Sequence, residues 1–429
     1  MNTAATAALR AQARRLFDAG LAAADPATAL RAAFTRQPPP VPAAGGRLIV
    51  IAVGKAAVPM ITEALRLLPA EPVPLAIAVT NYENHRAVPG CEVLAAGHPV
   101  PDENGAEAAR RVMLALRNAR AEDRVIALIS GGGSALLPAP APGLTLAHKA
   151  AVNRALLAGG CDIAEMNLVR QQLSQLKGGG MTRLAHPAPV AAYILSDVIG
   201  DDLRVIASGP TVAPVGTASD AVRTLQSRGL WTSLPTAVQD HLTRRMAEPA
   251  PDPVGARNLL IGSNRLSLEA AAAAAAPEWD THIVSDCLVG DVAAACAEVI
   301  AAAKATGGRP ACLIFGGETT VTLRGTGRGG RNQELALRVA MAATGVLPPD
   351  WVFLSGGTDG RDGPTEAAGG LVDAGTLARM RRNGADPAAL LANNDSHAAL
   401  AASGDLLITG ATGTNVADMQ ILLCRPSPA

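Results

Sequence analysis

Aromatic residues are scarce in this chain: Phe, Trp and Tyr together make up 2% of its 429 residues. Proteins that bind single-stranded nucleic acid stack bases on aromatic rings, so the composition argues against that class. Charge is also low, and the 37 basic side chains balance 37 acidic ones. A chain without net charge has no bulk attraction for nucleic acid or for an anionic membrane. We therefore expect neither to be a partner.

Long apolar runs are missing as well. No run approaches the ~18 residues of a membrane-spanning helix. Charged residues interrupt the N-terminal segment where a signal peptide would have its apolar core. The six cysteines form no C-x-x-C pair, and most stand in apolar surroundings. This usage is typical of buried, reduced thiols rather than of a disulfide framework, and we expect a cytoplasmic protein.

Short apolar runs alternate with alanine-rich helical stretches through most of the chain. The runs are continuous rather than alternating, as in strands that are buried on both faces. This order predicts the α/β class, with α/β/α layered domains and mostly parallel sheets. Strands are predicted at residues 48–53, 75–80, 125–130, 190–196, 258–262, 281–285, 311–315, 351–355 and 406–409.

One segment, MAEPAPDPVGAR at residues 246–257, has three prolines and no periodicity. Such a segment is typical of a linker. It divides the chain into predicted domains 1–245 and 257–429, both of ordinary domain size. A proline-rich patch at residues 37–42 separates an N-terminal helical arm from the first strand. The sequence leaves open which domain this arm packs against.

The segment LIFGGETTVTLRGTGRGGRNQEL, residues 313–335, predicts an anion site. An apolar run enters a glycine-rich loop with Arg324, Arg328 and Arg331, and a helix-like segment follows. Glycine lets backbone N–H groups approach an anion, a helix N-terminus favours negative charge, and arginine donates bidentate hydrogen bonds. The glycines at 325, 327 and 330 also match G-x-G-x-x-G. Phosphate binding by the arginines, dinucleotide binding and a structural turn all stay open here.

A second group of candidates follows other predicted strands, although the P-loop pattern G-x-x-x-x-G-K-[ST] is absent. Lys55 stands between a strand and a helix, where it can meet a phosphate; the alternative is a solvated lysine in a first helical turn. The sequence SGGGS is a candidate nest of backbone N–H groups. Its members are Ser130, Gly131, Gly132, Gly133 and Ser134. A serine nucleophile is disfavoured, because G-x-S-x-G is absent and no histidine is clearly placed as a base.

Two aspartates that follow predicted strands are candidate Mg²⁺ ligands: Asp197 in LSDVIGDD and Asp359 in GGTDGRDGPTE. Mg²⁺ in phosphate-binding sites needs only one or two carboxylates beside phosphate and water. Asp362, by contrast, is expected to be a solvated surface carboxylate. The seven histidines form no H-x-x-x-H pair, so no histidine-ligated metal is predicted.

In this order the motifs resemble one known family. They are AVGKAA, GHPVPDENG, LISGGGSALL, VRQQLSQLKGGG, LSDVIGDDLRVIASGPT, GGETTVTLRGTGRGGRNQEL, GGTDGRDGPTEAAGG and NNDSHAAL. The chain resembles glycerate 2-kinases of the GckA/TtuD type, which have a DUF4147 N-terminal domain and a C-terminal MOFRL domain. The resemblance runs from about residue 9 to residue 423. Members of the family often carry the label hydroxypyruvate reductase.

The resemblance implies phosphorylation of D-glycerate by ATP at the 2-hydroxyl, with Mg²⁺, in a cleft between two α/β domains. The family's G-K-A lysine corresponds to Lys55, its L-S-D aspartate to Asp197, and its G-G-R-N-Q-E arginine to Arg331.

The predicted catalytic roles follow from the needs of phosphoryl transfer. Lys55 and Arg331 would neutralise the transferring phosphoryl group from opposite sides of the cleft. Asp197 would orient or deprotonate the hydroxyl, or hold Mg²⁺. Further residues are predicted to contact substrate, nucleotide or metal. They are the five residues of the nest, Lys177, Gly327, Arg328, Asp359 and Asn394.

Two other classes of function stay open from the residues alone. An NAD(P)H-dependent hydroxypyruvate reductase would use the glycine pattern, and a non-catalytic metabolite-binding protein would use the anion loops. A homodimer is a further possibility that the sequence leaves open.

Overall fold

A computed structural model of the chain describes residues 3–248, 255–307 and 309–425. The chain folds into two compact units. The central unit runs from Pro26 to Ile261, and the terminal unit combines the residues up to Asp25 with those from Gly262 onward. This division differs from the predicted one in two places, because the junction lies at Ile261 and the N-terminal arm is divided, with its residues up to Asp25 in the terminal unit and the rest in the central unit. Residues 249–254 of the predicted linker lie outside the described residues.

The central unit is built on a six-stranded sheet of order β3-β2-β1-β4-β5-β6, and its pairs from β3 to β5 are parallel in register. The strands are β1 Leu48–Val53, β2 Leu75–Asn81, β3 Glu92–Ala96, β4 Arg124–Ile129, β5 Val190–Leu195 and β6 Arg257–Gly262. The helices are α2 Pro26–Arg36, α3 Ala57–Leu67, α4 Glu103–Arg117, α5 Gly133–Leu136, α6 Leu146–Ala158, α7 Ile163–Gln172, α8 Gly180–Ala185, α9 Ala218–Ser227 and α10 Thr236–Ala247.

Strand β1 shows why its sequence is apolar throughout. Ile49, Ile51 and Val53 belong to the apolar cluster that includes residues of α4 and α8. Val50 and Ala52 belong to the cluster that includes residues of α2 and α3. Successive side chains of a strand point to opposite faces, so helices cover both faces of this sheet. The predicted α/β/α layering is confirmed here.

The terminal unit has a mixed sheet of order β11-β10-β9-β12-β8-β7. Its strands are β7 Asp280–Asp291, β8 Ala311–Thr320, β9 Asp350–Gly357, β10 Gly369–Asp373, β11 Leu406–Leu407 and β12 Asp418–Arg425. Its helices are α1 Thr3–Ala23, α11 Asn264–Ala275, α12 Val292–Ala305, α13 Arg331–Ala343, α14 Thr376–Arg382, α15 Pro387–Ala392 and α16 Ser396–Ser403. Apolar clusters cover both faces of this sheet too.

Parallel strand pairs outnumber antiparallel ones over the two sheets, as predicted, but they are concentrated in the central unit. In the terminal unit only β7 and β8 are parallel, and β12 pairs antiparallel with both β8 and β9. Within the described residues, no helix is both long and apolar enough to cross a membrane. The six cysteines are free thiols, and Cys287 among them is exposed.

Candidate active site

Three neighbouring strands of the central sheet bring predicted site residues to one edge. Strands β1, β4 and β5 are adjacent and parallel, so their carboxyl ends lie together. The backbone N–H of Lys55, after β1, donates to the carbonyl oxygen of Gly131, after β4, at 2.9 Å. A Cβ atom on Gly131 would lie 2.0 Å from Oδ2 of Asp197, after β5. Glycine at 131 therefore leaves the space that the Asp197 carboxylate occupies.

Asp197 has the electrostatics of a stronger base than an ordinary aspartate. Burial raises the pKa of its carboxyl group, and a backbone hydrogen bond with the positive charge of Lys55 offsets only part of this effect. A carboxylate with a raised pKa accepts a proton from a hydroxyl group more readily. The Lys55 side chain itself is exposed. Base and cation thus stand side by side at the sheet edge.

Ser130 positions the turn that carries Lys55. Its hydroxyl accepts a hydrogen bond from Ala56 N–H at 3.1 Å and donates to the Val53 carbonyl oxygen at 3.3 Å. Gly54, with φ 121°, leaves room for it, since a Cβ there would lie 2.2 Å from Ser130 Oγ. The predicted ligand contact of Ser130 has no support in this geometry, because the buried hydroxyl has its partners within the turn.

His98, which follows β3, is a neighbour that the sequence did not single out. A Cβ on Gly132 would lie 3.1 Å from His98 Cδ2 and 3.3 Å from Lys55 Cγ. Burial, and then the charge of Lys55, lowers the pKa of the His98 imidazole. A neutral ring therefore stands beside Lys55 near pH 7. The motif GHPVPDENG contained the signal, but β3 was not predicted.

Ser134 and Lys177 also come together. Lys177 Nζ lies 2.6 Å from Ser134 Oγ, and Arg170 Nη2 lies 2.7 Å from the same oxygen. The Ser134 hydroxyl is 2.9 Å from the hydroxyl of Ser208, which donates to Asn167 Oδ1 at 2.8 Å. Arg170, Ser208 and Asn167 were missed, although Arg170 and Lys177 share the motif VRQQLSQLKGGG.

Arg331, in the terminal unit, is the first residue of α13 and is held by a buried carboxylate. Its Nε and Nη2 lie 2.6 and 2.9 Å from the two oxygens of Asp418, the first residue of β12. Its Nη1 lies 3.0 Å from Glu318 Oε1. Burial lowers the pKa of Arg331, but Asp418 and the acidic groups around it raise it more, so the net direction is upward. Arg331 is therefore a cation whose position is fixed, and the Nε–Nη2 edge of its guanidinium is occupied by Asp418.

Asp362 corrects a prediction, because it is buried rather than solvated, with 3% of its surface exposed. It accepts hydrogen bonds from the backbone N–H groups of Asn332 at 3.1 Å and Gln333 at 2.8 Å, and from Gln333 Nε2 at 3.0 Å. Burial raises the pKa of Asp362 to about 6, although the Gln333 and Asn332 hydrogen bonds act against it. The N-terminal turn of α13, expected to face an anionic ligand, is thus occupied by a side chain of the protein.

The glycine-rich loop before α13 packs on a neighbouring turn. Asn394 Oδ1 accepts the N–H groups of Arg324 at 2.6 Å and Gly325 at 3.0 Å. A Cβ on Gly327 would lie 2.4 Å from Asp395 Cβ. Asn394 and the two glycines therefore shape the loop, and the ligand contacts predicted for Asn394 and Gly327 stay predictions.

Two other predicted residues of this unit are exposed. Arg328 donates through its N–H to Asp395 Oδ1 at 3.1 Å, and its guanidinium donates to the Pro364 carbonyl oxygen at 3.3 Å. Asp359 Oδ1 accepts the Arg361 N–H at 2.9 Å. A Cβ on Gly357 would lie 3.2 Å from Asp359 Oδ1 and 3.6 Å from Asp418 Oδ1, so Asp359 stands near the carboxylate that holds Arg331.

The predicted residues thus form two sets. Lys55, the nest, Asp197 and Lys177 lie in the central unit, whereas Arg331 and Asp359 lie in the terminal unit. A cavity of about 420 Å³ in the central unit has a lining that includes Gln172, Arg183 and His241 but none of the predicted site residues.

Comparison with known proteins defines the class first. Residues 12–243 match the family described as a domain of unknown function, DUF4147, and residues 311–418 match the MOFRL family. A D-glycerate 2-kinase of Thermotoga maritima is 40% identical, over 87% of this chain and 90% of that protein. A putative hydroxypyruvate reductase of Agrobacterium vitis is 45% identical, over 88% of this chain and 99% of that protein.

A solved structure points the same way. The crystal structure of the Thermotoga maritima glycerate kinase superimposes with a TM-score of 0.90 and 37% identity, over 97% of this chain and 99% of that one. The class is thus a two-domain α/β enzyme. The chain belongs to the glycerate kinase family, in which a DUF4147 domain precedes a MOFRL domain.

Proposed function

We propose that the protein is an ATP-dependent glycerate 2-kinase. It transfers the γ-phosphoryl group of ATP to the 2-hydroxyl of D-glycerate, which gives 2-phosphoglycerate and ADP. The observation that carries the proposal is the meeting of Lys55, Gly131 and Asp197 at the carboxyl edge of the central sheet. The names of the similar kinases support the choice of substrate. A cytoplasmic location is part of the same proposal.

The site residues supply what phosphoryl transfer requires, namely positioning and neutralisation of charge. Asp197, with its raised pKa, orients the acceptor hydroxyl and takes its proton. The exposed amine of Lys55 neutralises phosphoryl oxygens. Arg331 keeps its charge, and Nη1 is the donor that it can offer once Glu318 moves away, because Asp418 holds the other edge.

The residues also fit Mg²⁺. Among the described residues, no group of three or more His, Cys, Asp or Glu could hold a metal ion by itself. Mg²⁺ in kinase sites takes one or two carboxylates and completes its shell with phosphate and water. Asp197 in the central unit and Asp359 in the terminal unit each offer carboxylate oxygens of this kind, and we propose each as a candidate ligand. Bound Mg²⁺ would supply charge neutralisation on the triphosphate.

A hydroxypyruvate reductase is the second candidate, since a relative at 45% identity carries that name. The structure provides a specific argument against it. Dinucleotide binding through G-x-G-x-x-G places the pyrophosphate on the N–H groups at a helix N-terminus. In α13 the N–H groups of Asn332 and Gln333 already donate to Asp362. The glycine pattern here therefore builds a loop rather than a dinucleotide cradle.

One assay separates the two candidates. The purified protein is incubated with D-glycerate, ATP and Mg²⁺, and phosphorus–proton NMR correlation locates the phosphate on C2 or C3. We expect ADP release with the phosphate on C2, and loss of this activity in Lys55→Met. Lys304→Met, which removes an exposed lysine on α12, is the matched control with unchanged activity. Oxidation of NADH by hydroxypyruvate without ADP release would reverse the assignment.

A further inference from the structure

Three basic side chains of the central unit, Lys149, Arg170 and Lys177, lie together without an acidic partner in the part of the chain that the structure describes. Arg170 and Lys177 both donate to Ser134 Oγ. Lys149, on α6, donates to the carbonyl oxygen of Pro138, which lies four residues after Ser134 in the sequence. Lys177 is 3% exposed. Within the described parts of the chain, no Asp or Glu forms an ion pair with any of the three. Buried charges are ordinarily paired, so Lys177, the buried member of the cluster, lacks an anionic partner among these described residues.

The hydrogen bonds show that the cluster has spare donors rather than spare acceptors. Lysine and arginine side chains only donate. Because Ser134 Oγ accepts from both Arg170 and Lys177, its own proton goes to Ser208 Oγ, and Ser208 donates to Asn167. The described residues provide two acceptors for the three side chains, namely Pro138 O and Ser134 Oγ, although an ammonium offers three N–H groups and a guanidinium five.

The backbone beside the cluster is strained. Ala207 and Ser208 have φ angles of 49° and 60°, in the left-handed region that residues with a Cβ seldom adopt. Such conformations are energetically disfavoured and cluster at binding sites. Here the strain places the Ser208 hydroxyl against Ser134.

We propose that Lys149, Arg170 and Lys177 form a binding site for a phosphate group with two or more negative charges, and that binding draws protons from solvent onto the lysines. A carboxylate supplies one negative charge and two acceptor oxygens, whereas a phosphate supplies two charges and more acceptors for the spare N–H donors of the cluster. The identity of the natural ligand as a phosphate of ATP rests on the proposed function. The site and its proton uptake rest on the cluster alone.

The electrostatics give the sign of the proton uptake. Burial, and then the charge of Arg170, lowers the pKa of Lys149 to about 7. Burial, with Lys149 and Arg170, lowers the pKa of Lys177 well below its ordinary value. Burial also lowers the pKa of Arg170, but from a value so high that it stays charged. No carboxylate contributes to these shifts. A bound dianion raises both lysine pKa values, so affinity increases as the pH falls towards 7.

Sulfate is the probe, because it stays a dianion through neutral pH and releases or takes up no proton itself. Sodium sulfate is titrated into the weakly buffered protein at about pH 8, with sodium chloride of equal ionic strength as the blank. We expect uptake of roughly one proton per sulfate bound and an affinity that falls roughly tenfold per pH unit above pH 7. Binding without proton uptake, or no sulfate binding at all, would overturn the inference.

Variants locate the effect. Lys149→Arg keeps a basic side chain but replaces an amine that titrates by a guanidinium that stays protonated, so sulfate should bind with less proton uptake. Lys304→Met should behave as the unmodified protein. Equal uptake in all three proteins would contradict the assignment to this cluster, and the pH dependence of the unmodified protein tests it even if Lys149→Arg is unstable.

Competition identifies the natural ligand group. ADP should displace sulfate, whereas displacement by D-glycerate and not by ADP would overturn the assignment to phosphate. Glycerate phosphorylation is measured separately. Turnover without proton-linked sulfate binding refutes this inference alone, and proton-linked binding without turnover refutes the proposed function alone.

Discussion

Arg331 has a structural partner and a proposed catalytic role, and a double-variant cycle separates the two. Asp418 pairs with it through two hydrogen bonds, and the side-chain exposures are 34% for Arg331 and 1% for Asp418. Replacing Arg331 alone leaves a buried carboxylate without a partner. Replacing both residues by apolar ones, as in Arg331→Met with Asp418→Leu, removes both charges of the pair.

The expected cost follows from this geometry. Removal of one member of a buried ion pair costs roughly 3–5 kcal/mol, and water around the exposed third of Arg331 favours the lower end. We expect Arg331→Met to lower the free energy of unfolding of the terminal unit by about 3 kcal/mol. The double variant should recover to within about 1 kcal/mol of the unmodified protein, because both charges are gone. Fluorescence of Trp279 and Trp351, both buried in the terminal unit, follows the transition in urea.

Activity then decides the role of Arg331. If its Nη1 contacts the transferring phosphoryl group, kcat falls roughly 10³-fold in both the single and the double variant. The double variant would then have nearly the stability of the unmodified protein but a low kcat, so loss of activity could not be attributed to loss of stability. A double variant that regains near-normal kcat would refute the catalytic assignment and leave Arg331 a purely structural role.

Three further predictions test other parts of the structure. Gly131→Ala places a methyl group 2.0 Å from Asp197 Oδ2, so kcat should fall roughly 10²-fold with an unchanged circular dichroism spectrum. Gly255→Ala, which meets no atom within 4 Å, is its control. Because the folded pKa of Asp362 is raised to about 6, its contribution to stability is complete below pH 4 and is lost as the pH rises through 6. Urea unfolding should therefore show the unmodified protein gaining stability relative to Asp362→Asn as the pH is lowered from 7 to 4, and a constant difference would contradict the buried assignment. Asn394→Gly keeps the backbone at φ 55° but removes the amide that holds the glycine-rich loop, so trypsin should cut this loop faster, and an unchanged rate would show that the amide is dispensable.

Much of the fold could be predicted because burial on both faces makes a strand apolar throughout. The predicted first strand, at residues 48–53, coincides with β1. β3 was missed because it is only partly buried and begins with Glu92, and β10 because it begins with two glycines. β12 was also missed, and its antiparallel direction could not be predicted, since an apolar run carries no information on the direction of its neighbours.

The candidate site could be predicted where a functional residue directly follows a strand. Lys55, Gly131 and Asp197 meet for this reason, and their chemical roles stay predictions. Asp418 was missed because it lies 87 residues from Arg331, and only the fold brings them together. Asp362 was misjudged because its surroundings, rich in Gly and Pro, have the composition of an exposed turn, whereas the N–H groups of α13 draw the carboxylate inside.

The packing of α1 with the last part of the chain bears on how the protein is made. Leu16 and Phe17 of α1 are fully buried in the cluster that includes Met419 and Ile421 of β12. The residues of β12 are translated about 400 residues after the helix, which at ordinary elongation rates is roughly 20–80 s later. The residues of the central unit are contiguous and complete long before that. Leu268 and Ala271 of α11, in the same cluster, are translated earlier, but until β12 follows the apolar face of the first helix lacks part of its native cluster, which makes it an early target for a chaperone on the nascent chain.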